Sequence, residues 1–221
     1  MIHSISGVPT PQGAVYSQET NKVFVGSDEG KLYVYDGTTF DLIGSIDFGD
    51  DVDNLRYDAA KKRVYVGYGD EKTGAIAVVD AATNERVDEF KLGAHPESFQ
   101  VETSGPNIYV NLPDFKQIAA VNRSTHSIAR WPLTFESNFP MALDEANHRL
   151  FVATRTRRDS WCLTPTQDAW LQRFRLSRMR TTCITIPPAG ACTFPAEKGT
   201  SAFSDRTMPI ITIFSPRSIP L

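Results

Sequence analysis

Cysteine is missing from residues 1 to 154; all three cysteines, Cys162, Cys183 and Cys192, fall in the last 67 residues. An odd count at those spacings defines no disulfide framework and matches no zinc-ligand pattern. No apolar run approaches the ~20 residues that cross a bilayer, so no membrane span is expected. Runs such as IAVVD (76 to 80) are strand-sized. The amino end, MIHSISGVPTPQG, has neither a basic n-region nor an apolar h-region, so no export signal is expected in this chain. GxSxG, HExxH, Walker and EF-hand patterns are all absent. The four histidines, His3, His95, His126 and His148, lie in different segments without ligand spacing and read as surface or turn residues. The sequence therefore points to no metal site, no catalytic residue and no cofactor.

Charge is distributed unevenly. Residues 1 to 154 carry 13 Lys+Arg against 22 Asp+Glu, while residues 155 to 221 carry 10 against 4. Seven of the fourteen prolines lie in that second stretch, which has no Val, Tyr, Asn or His. Its arginines are scattered with no domain pattern around them, and the acidic first part repels phosphate, so nucleic acid is excluded as a partner.

The first part repeats. KVFVGS (22 to 27), RVYVGY (63 to 68), NIYVNL (107 to 112) and RLFVAT (149 to 154) align, with Val23, Val64, Ile108 and Leu150 spaced by 41, 44 and 42 residues. A second register places Asp36, Asp80 and Asn122 at intervals of 44 and 42. Such a period matches one propeller blade of four short strands, with turn chemistry every eight to twelve residues. In the second repeat the strands are expected over 55 to 58, 63 to 68, 75 to 80 and 86 to 92, with inner strands of the four repeats near Ala14, Leu55, Phe99 and Ala142. Asp36, Asp80 and Asn122 open the third turn, where a short polar side chain bonds the backbone two residues on.

The segments Val64 to Tyr68, Val78 to Asn84 and His95 to Gln100, with FPMALDEANHRLFV at 139 to 152, resemble the YVTN-type β-propeller repeats of bacterial proteins. The resemblance covers residues 2 to about 155. It implies a seven-bladed ring around a central channel, with no common catalytic motif and a parent protein that is periplasmic or secreted. The expected fold is all-β: a partial β-propeller of about three and a half four-stranded antiparallel blades (12–51, 52–95, 96–138 and a half blade 139–155), preceded by an outer strand at Ile2 to Ser6. A seven-blade ring needs roughly 280 residues at ~40 per blade, so the sequence reads as a fragment whose open blade faces invite non-specific self-association.

Loops on a rigid scaffold carry function, and the segments leading into the inner strands converge on one funnel. They contribute Gln12, Asp50, Asp51, Asp53, Glu97 and Asn138 as candidate ligand-binding residues. Several carboxylates held close favour a positive partner, a hydrated cation or a basic group. The reading is a non-enzymatic binding or scaffold propeller with a small molecule or protein at the funnel. Its alternative is a piece of a propeller enzyme of the quinoprotein, haem d1 or lactonase-like kind, which would need clustered histidines or metal ligands there.

Residues 156 to 221 are expected to be an irregular tail, read out of frame from DNA that once encoded further blades. Asp, Glu, Lys, Gln, Asn, His and Tyr supply 52 of residues 1 to 154 but only 7 of the last 67. That bias follows if the second base of each codon was formerly a third base in GC-rich DNA, where adenine is scarce. Re-reading 159 to 174 in the shifted frame gives LLVLDTDTGRLVAEVP, which matches the VVDAATNERV register. The nucleotide sequence around codons 153 to 159 tests this directly.

Overall fold

The computed structural model describes residues 4 to 134 and 136 to 154, and the backbone of two strands at 159 to 164 and 169 to 175. Four antiparallel sheets follow one another along the chain. The first holds β1 (Pro11–Ser17), β2 (Lys22–Ser27), β3 (Lys31–Asp36) and β4 (Leu42–Asp47) in that order. The second holds β5 (Val52–Asp58), β6 (Arg63–Tyr68), β7 (Ala75–Asp80) and β8 (Arg86–Lys91). The third holds β9 (Phe99–Val101), β10 (Asn107–Leu112), β11 (Gln117–Asn122) and β12 (Ile128–Pro132). A single 3-10 turn at Pro113–Phe115 links β10 to β11. The fourth holds β13 (Asn138–Asp144), β14 (Arg149–Thr154), β15 (Asp159–Thr164) and β16 (Ala169–Arg175).

The first strand of each sheet lies beside the first strand of the next: β1 by β5, β5 by β9, β9 by β13. The sheets therefore stack face to face as blades around an axis, and the core sits between them. Val64 and Val66 join Phe24, Leu32 and Val34 of the first blade, while Tyr65 between them turns to Phe99, Ile108 and Val110 of the third. This is the period-2 alternation of a strand buried on both faces. It explains why β2, β6, β10 and β14 are buried at every residue but the first. Each fully buried Val or Leu contributes about 1.5–3 kcal/mol. As expected of the register, Val23 and Val25 share one side of β2 and Phe24 takes the other.

The third turn of each of the first three blades is built alike. Asp36 Oδ1 accepts from the N–H of Thr38 and Thr39 at 2.7 and 2.9 Å. Asp80 Oδ1 does the same for Ala82 and Thr83, and Asn122 Oδ1 for Ser124 and Thr125. Four residues on, the chain turns through positive φ at Phe40, Asn84 and His126 (62°, 63° and 59°).

Two segments depart from the sequence expectations. Residues 4 to 8 form no strand; instead Ile5 and Val8 lie over Val23, Val25 and Tyr35, covering the outward face of the first blade. The fourth sheet continues past 155 through β15 and β16, whose backbones pair onto β14 in the order of a complete blade. Strand pairing needs only backbone donors and acceptors, and an unpaired edge such as that of β14 templates it. The rest of the shifted-frame expectation, at 156 to 158, 165 to 168 and from 176 on, lies outside the described residues.

Candidate functional site

Each inner strand begins with an extra residue. The pairings Pro11↔Ser27 and Ala14↔Val25, Val52↔Tyr68 and Leu55↔Val66, and Asn138↔Thr154 and Met141↔Val152 each set three steps on the inner strand against two on its partner. In the third blade Asn111 bonds both Ser98 O and Glu97 N, at 3.1 Å each, ahead of the pair Phe99↔Val110. This is a β-bulge repeated in four blades, and bulges re-aim side chains next to sites. Counting from the paired residue, Gln12, Asp53, Glu97 and Phe139 occupy the same position of successive blades, and Thr10, Asp51, His95 and Ser137 the position two before it.

Two glycines allow the close approach. A Cβ on Gly13 would stand 2.3 Å from Asp53 O, so β1 and β5 meet there only without a side chain. A Cβ on Gly74 would stand 1.8 Å from Ala94 O and 2.8 Å from His95 N, which brings the β6–β7 loop onto the segment carrying His95.

A cleft of about 310 Å³ opens at this end of the inner strands, lined by Asp50, Asp51, Asp70, Glu71, Glu97 and Asp114 with Gly69, His95, Pro113 and Phe139. His95 is the sole lining side chain that can carry positive charge. Some of the acids are held by the loop itself. Asp50 Oδ2 accepts from Thr73 Oγ1 at 3.0 Å and from Asp70 N at 3.2 Å. Asp70 Oδ1 accepts from the N–H of Lys72 and Thr73, and those bonds hold its carboxyl below the usual range. Asp51 is different: its Oδ1 is buried with no hydrogen-bond partner. Burial first, then the neighbouring charge of Asp28, raises its pKa to about 6, against a downward pull from His95.

One ligand atom each from Asp53, His95 and Glu97 lie within 4.8 Å of one another, and all three residues are half-buried. His95 Nδ1 is 2.6 Å from the carbonyl oxygen of Gly69. A carbonyl can only accept, so Nδ1 carries the proton and Nε2 keeps a lone pair in the neutral ring.

The sequence-derived residues thus divide. Asp50, Asp51 and Glu97 line the cleft, and Asp53 joins Glu97 at its side. Gln12 is exposed at the matching position of the first blade. Asn138 does not face the funnel: it is fully buried and donates to Asn111 Oδ1 at 3.1 Å and Gln117 O at 3.3 Å. The bulge moves the funnel position one residue on, to Phe139, and one residue flips a strand's face. Spacing alone reads His95 as a surface or turn residue; aligning HPES with DDVDN through Phe99 and Leu55 gives it the position that Asp51 holds in the second blade. His126 and His148 do sit in turns at positive φ.

No family model matches the sequence, and no curated protein matches it. Solved structures do. The dihydro-heme d1 dehydrogenase NirN in complex with DHE aligns with a TM-score of 0.63 at 16% identity, over 77% of this chain and 38% of that one. Hydrazine synthase of Kuenenia stuttgartiensis aligns with a TM-score of 0.65 at 13% identity, over 77% of this chain and 50% of that one. The chain builds blades of a β-propeller. It spans half or less of the length of these two chains, and at such identities the likeness concerns the fold alone. Among the described residues no helix is long and apolar enough to cross a membrane.

Proposed function

We propose that this propeller is a non-enzymatic binding module whose acidic mouth takes a cationic ligand. The observation that carries the reading is the cleft itself, six carboxylates to one imidazole in about 310 Å³. Like charges gathered in a low-dielectric recess repel one another, and a positive ligand relieves that repulsion. The YVTN-type resemblance agrees, since it implies no shared catalytic motif. Calorimetric titration of the full chain with spermidine, against citrate as the anionic control, tests it. Spermidine is expected to bind saturably and citrate not at all. Affinity should fall several-fold between low salt and 0.5 M NaCl as screening shortens the reach of the carboxylates. It should also fall in the double variant Glu97→Gln/Asp114→Asn. Equal binding by that variant would remove the cleft as the site.

A second reading, a propeller enzyme, is supported by the names of the two aligned structures and by His95 at the mouth. Haemin titration followed in the Soret region separates it: this reading requires a shift in the native chain that His95→Ala abolishes.

A further inference from the structure

We infer that Asp53, His95 and Glu97 form a coordination site for one divalent first-row transition ion, with Zn²⁺ as its type. The inference rests on the cation-binding reading above and narrows it from electrostatic attraction to direct ligation.

The donor set is one imidazole and two carboxylates, which suits ions of intermediate hardness and disfavours Ca²⁺, an ion that takes six to eight oxygens. The spacing fits. Ligands held at ~2.1 Å from an ion stand about 3 to 4.2 Å apart, and the three donor atoms already lie within 4.8 Å of one another. Side-chain adjustment of less than ~1 Å closes the remainder, a movement that half-buried rotamers allow.

Two further features lie outside the triad. The Gly69 carbonyl engages His95 Nδ1 at 2.6 Å, the outer contact that fixes the tautomer and presents Nε2 to a metal. Asp51 lines the same cleft with Oδ1 buried and unmatched by any hydrogen-bond donor. A water bound to the ion is a donor of the kind that oxygen lacks. Three protein ligands leave at least one position for such a water or for an external group.

The blades explain how the site arises. Asp53 and Glu97 sit at equivalent bulge positions of adjacent blades, and His95 precedes Glu97 by two residues, across the one intervening Pro96. The ion would link the second and third blades at the axis, where their inner strands are neighbours.

The test is titration of the metal-stripped full chain with Co²⁺, read by visible absorption, and with Zn²⁺ in competition. One equivalent of Co²⁺ is expected to give d–d bands that Zn²⁺ displaces. Affinity should fall at least tenfold in His95→Ala and in the near-isosteric Glu97→Gln, each checked for native circular dichroism. His126→Ala, which removes an exposed histidine paired with Asp88 at 3.3 Å, should leave the titration unchanged. No saturable Co²⁺ signal, or one that survives both cleft variants, overturns the inference. Spermidine binding alongside that failure would leave the broader reading standing, whereas loss of both would remove the two together.

Discussion

Arg123 shows how a blade is fastened to its neighbour at the level of one side chain. Its guanidinium places every N–H: two on Asp58 Oδ2 and the Tyr65 hydroxyl, two on the carbonyls of Glu102 and Gly105, and Nε on Pro106 O. The pair with Asp58 is 3.1 Å long, with side chains 6% and 3% exposed. Removing one member of such a pair strands the other charge, so Asp58→Ala should cost about 3–5 kcal/mol in thermal unfolding. The double variant Asp58→Leu/Arg123→Met should cost less than the sum of the singles. Glu145 works between the third and fourth blades, accepting from the N–H of Thr103, Ser104 and Gly105 and from the Ser104 hydroxyl. Burial raises its pKa, but these donors outweigh it and bring the value from 4.5 to about 2. A depressed carboxylate contributes stability that is complete above its unfolded pKa and lost as pH falls through the folded one. Glu145 therefore adds stability at neutral pH that disappears between about pH 4.5 and 2. Glu145→Gln should lose about 1 kcal/mol at pH 7, since the group is partly exposed. It should also flatten the acid limb of melting temperature against pH between those values.

At the level of strands and turns, the spacing of Val23, Val64, Ile108 and Leu150 made the second strand of every blade legible, because those positions are buried on both sides and tolerate little but aliphatic residues. The third turns were legible for a local reason: Asp36, Asp80 and Asn122 bond their own backbones within three residues. The site was only half legible. A bulge adds a residue without a hydrophobic signature, so the sequence does not reveal parity along β13 and points to Asn138 for the face that Phe139 occupies. His95 depends on a carbonyl 26 residues away, a contact that exists only once Gly74 has let the β6–β7 loop close on Ala94. Gly74→Ala should accordingly force that loop off, with a cost of about 1–3 kcal/mol, and should weaken Co²⁺ binding although it touches no ligand. Calorimetric melting and the Co²⁺ titration together check it; unchanged Co²⁺ affinity would mean the loop does not position the imidazole.

For the molecule as a whole, stacked blades touch only their sequence neighbours, so each outward face must be covered by something. On the first blade that cover is Ile5 and Val8 over Val23, Val25 and Tyr35. Deleting residues 1 to 8 should expose this apolar face and shift sedimentation velocity profiles toward higher species with concentration. A variant that stays monomeric would show the cover to be dispensable. The repeated bulge has a different consequence. Because the same step in every blade presents one side chain to the axis, Gln12, Asp53, Glu97 and Phe139 behave like letters at fixed places in a short word. None of the four side chains belongs to the apolar clusters that pack blade on blade, so each can be rewritten alone. Exchanging the acidic letters for arginine or tryptophan would turn the same scaffold toward phosphates or flat aromatic ligands, with the fold serving as the page on which the specificity is spelled.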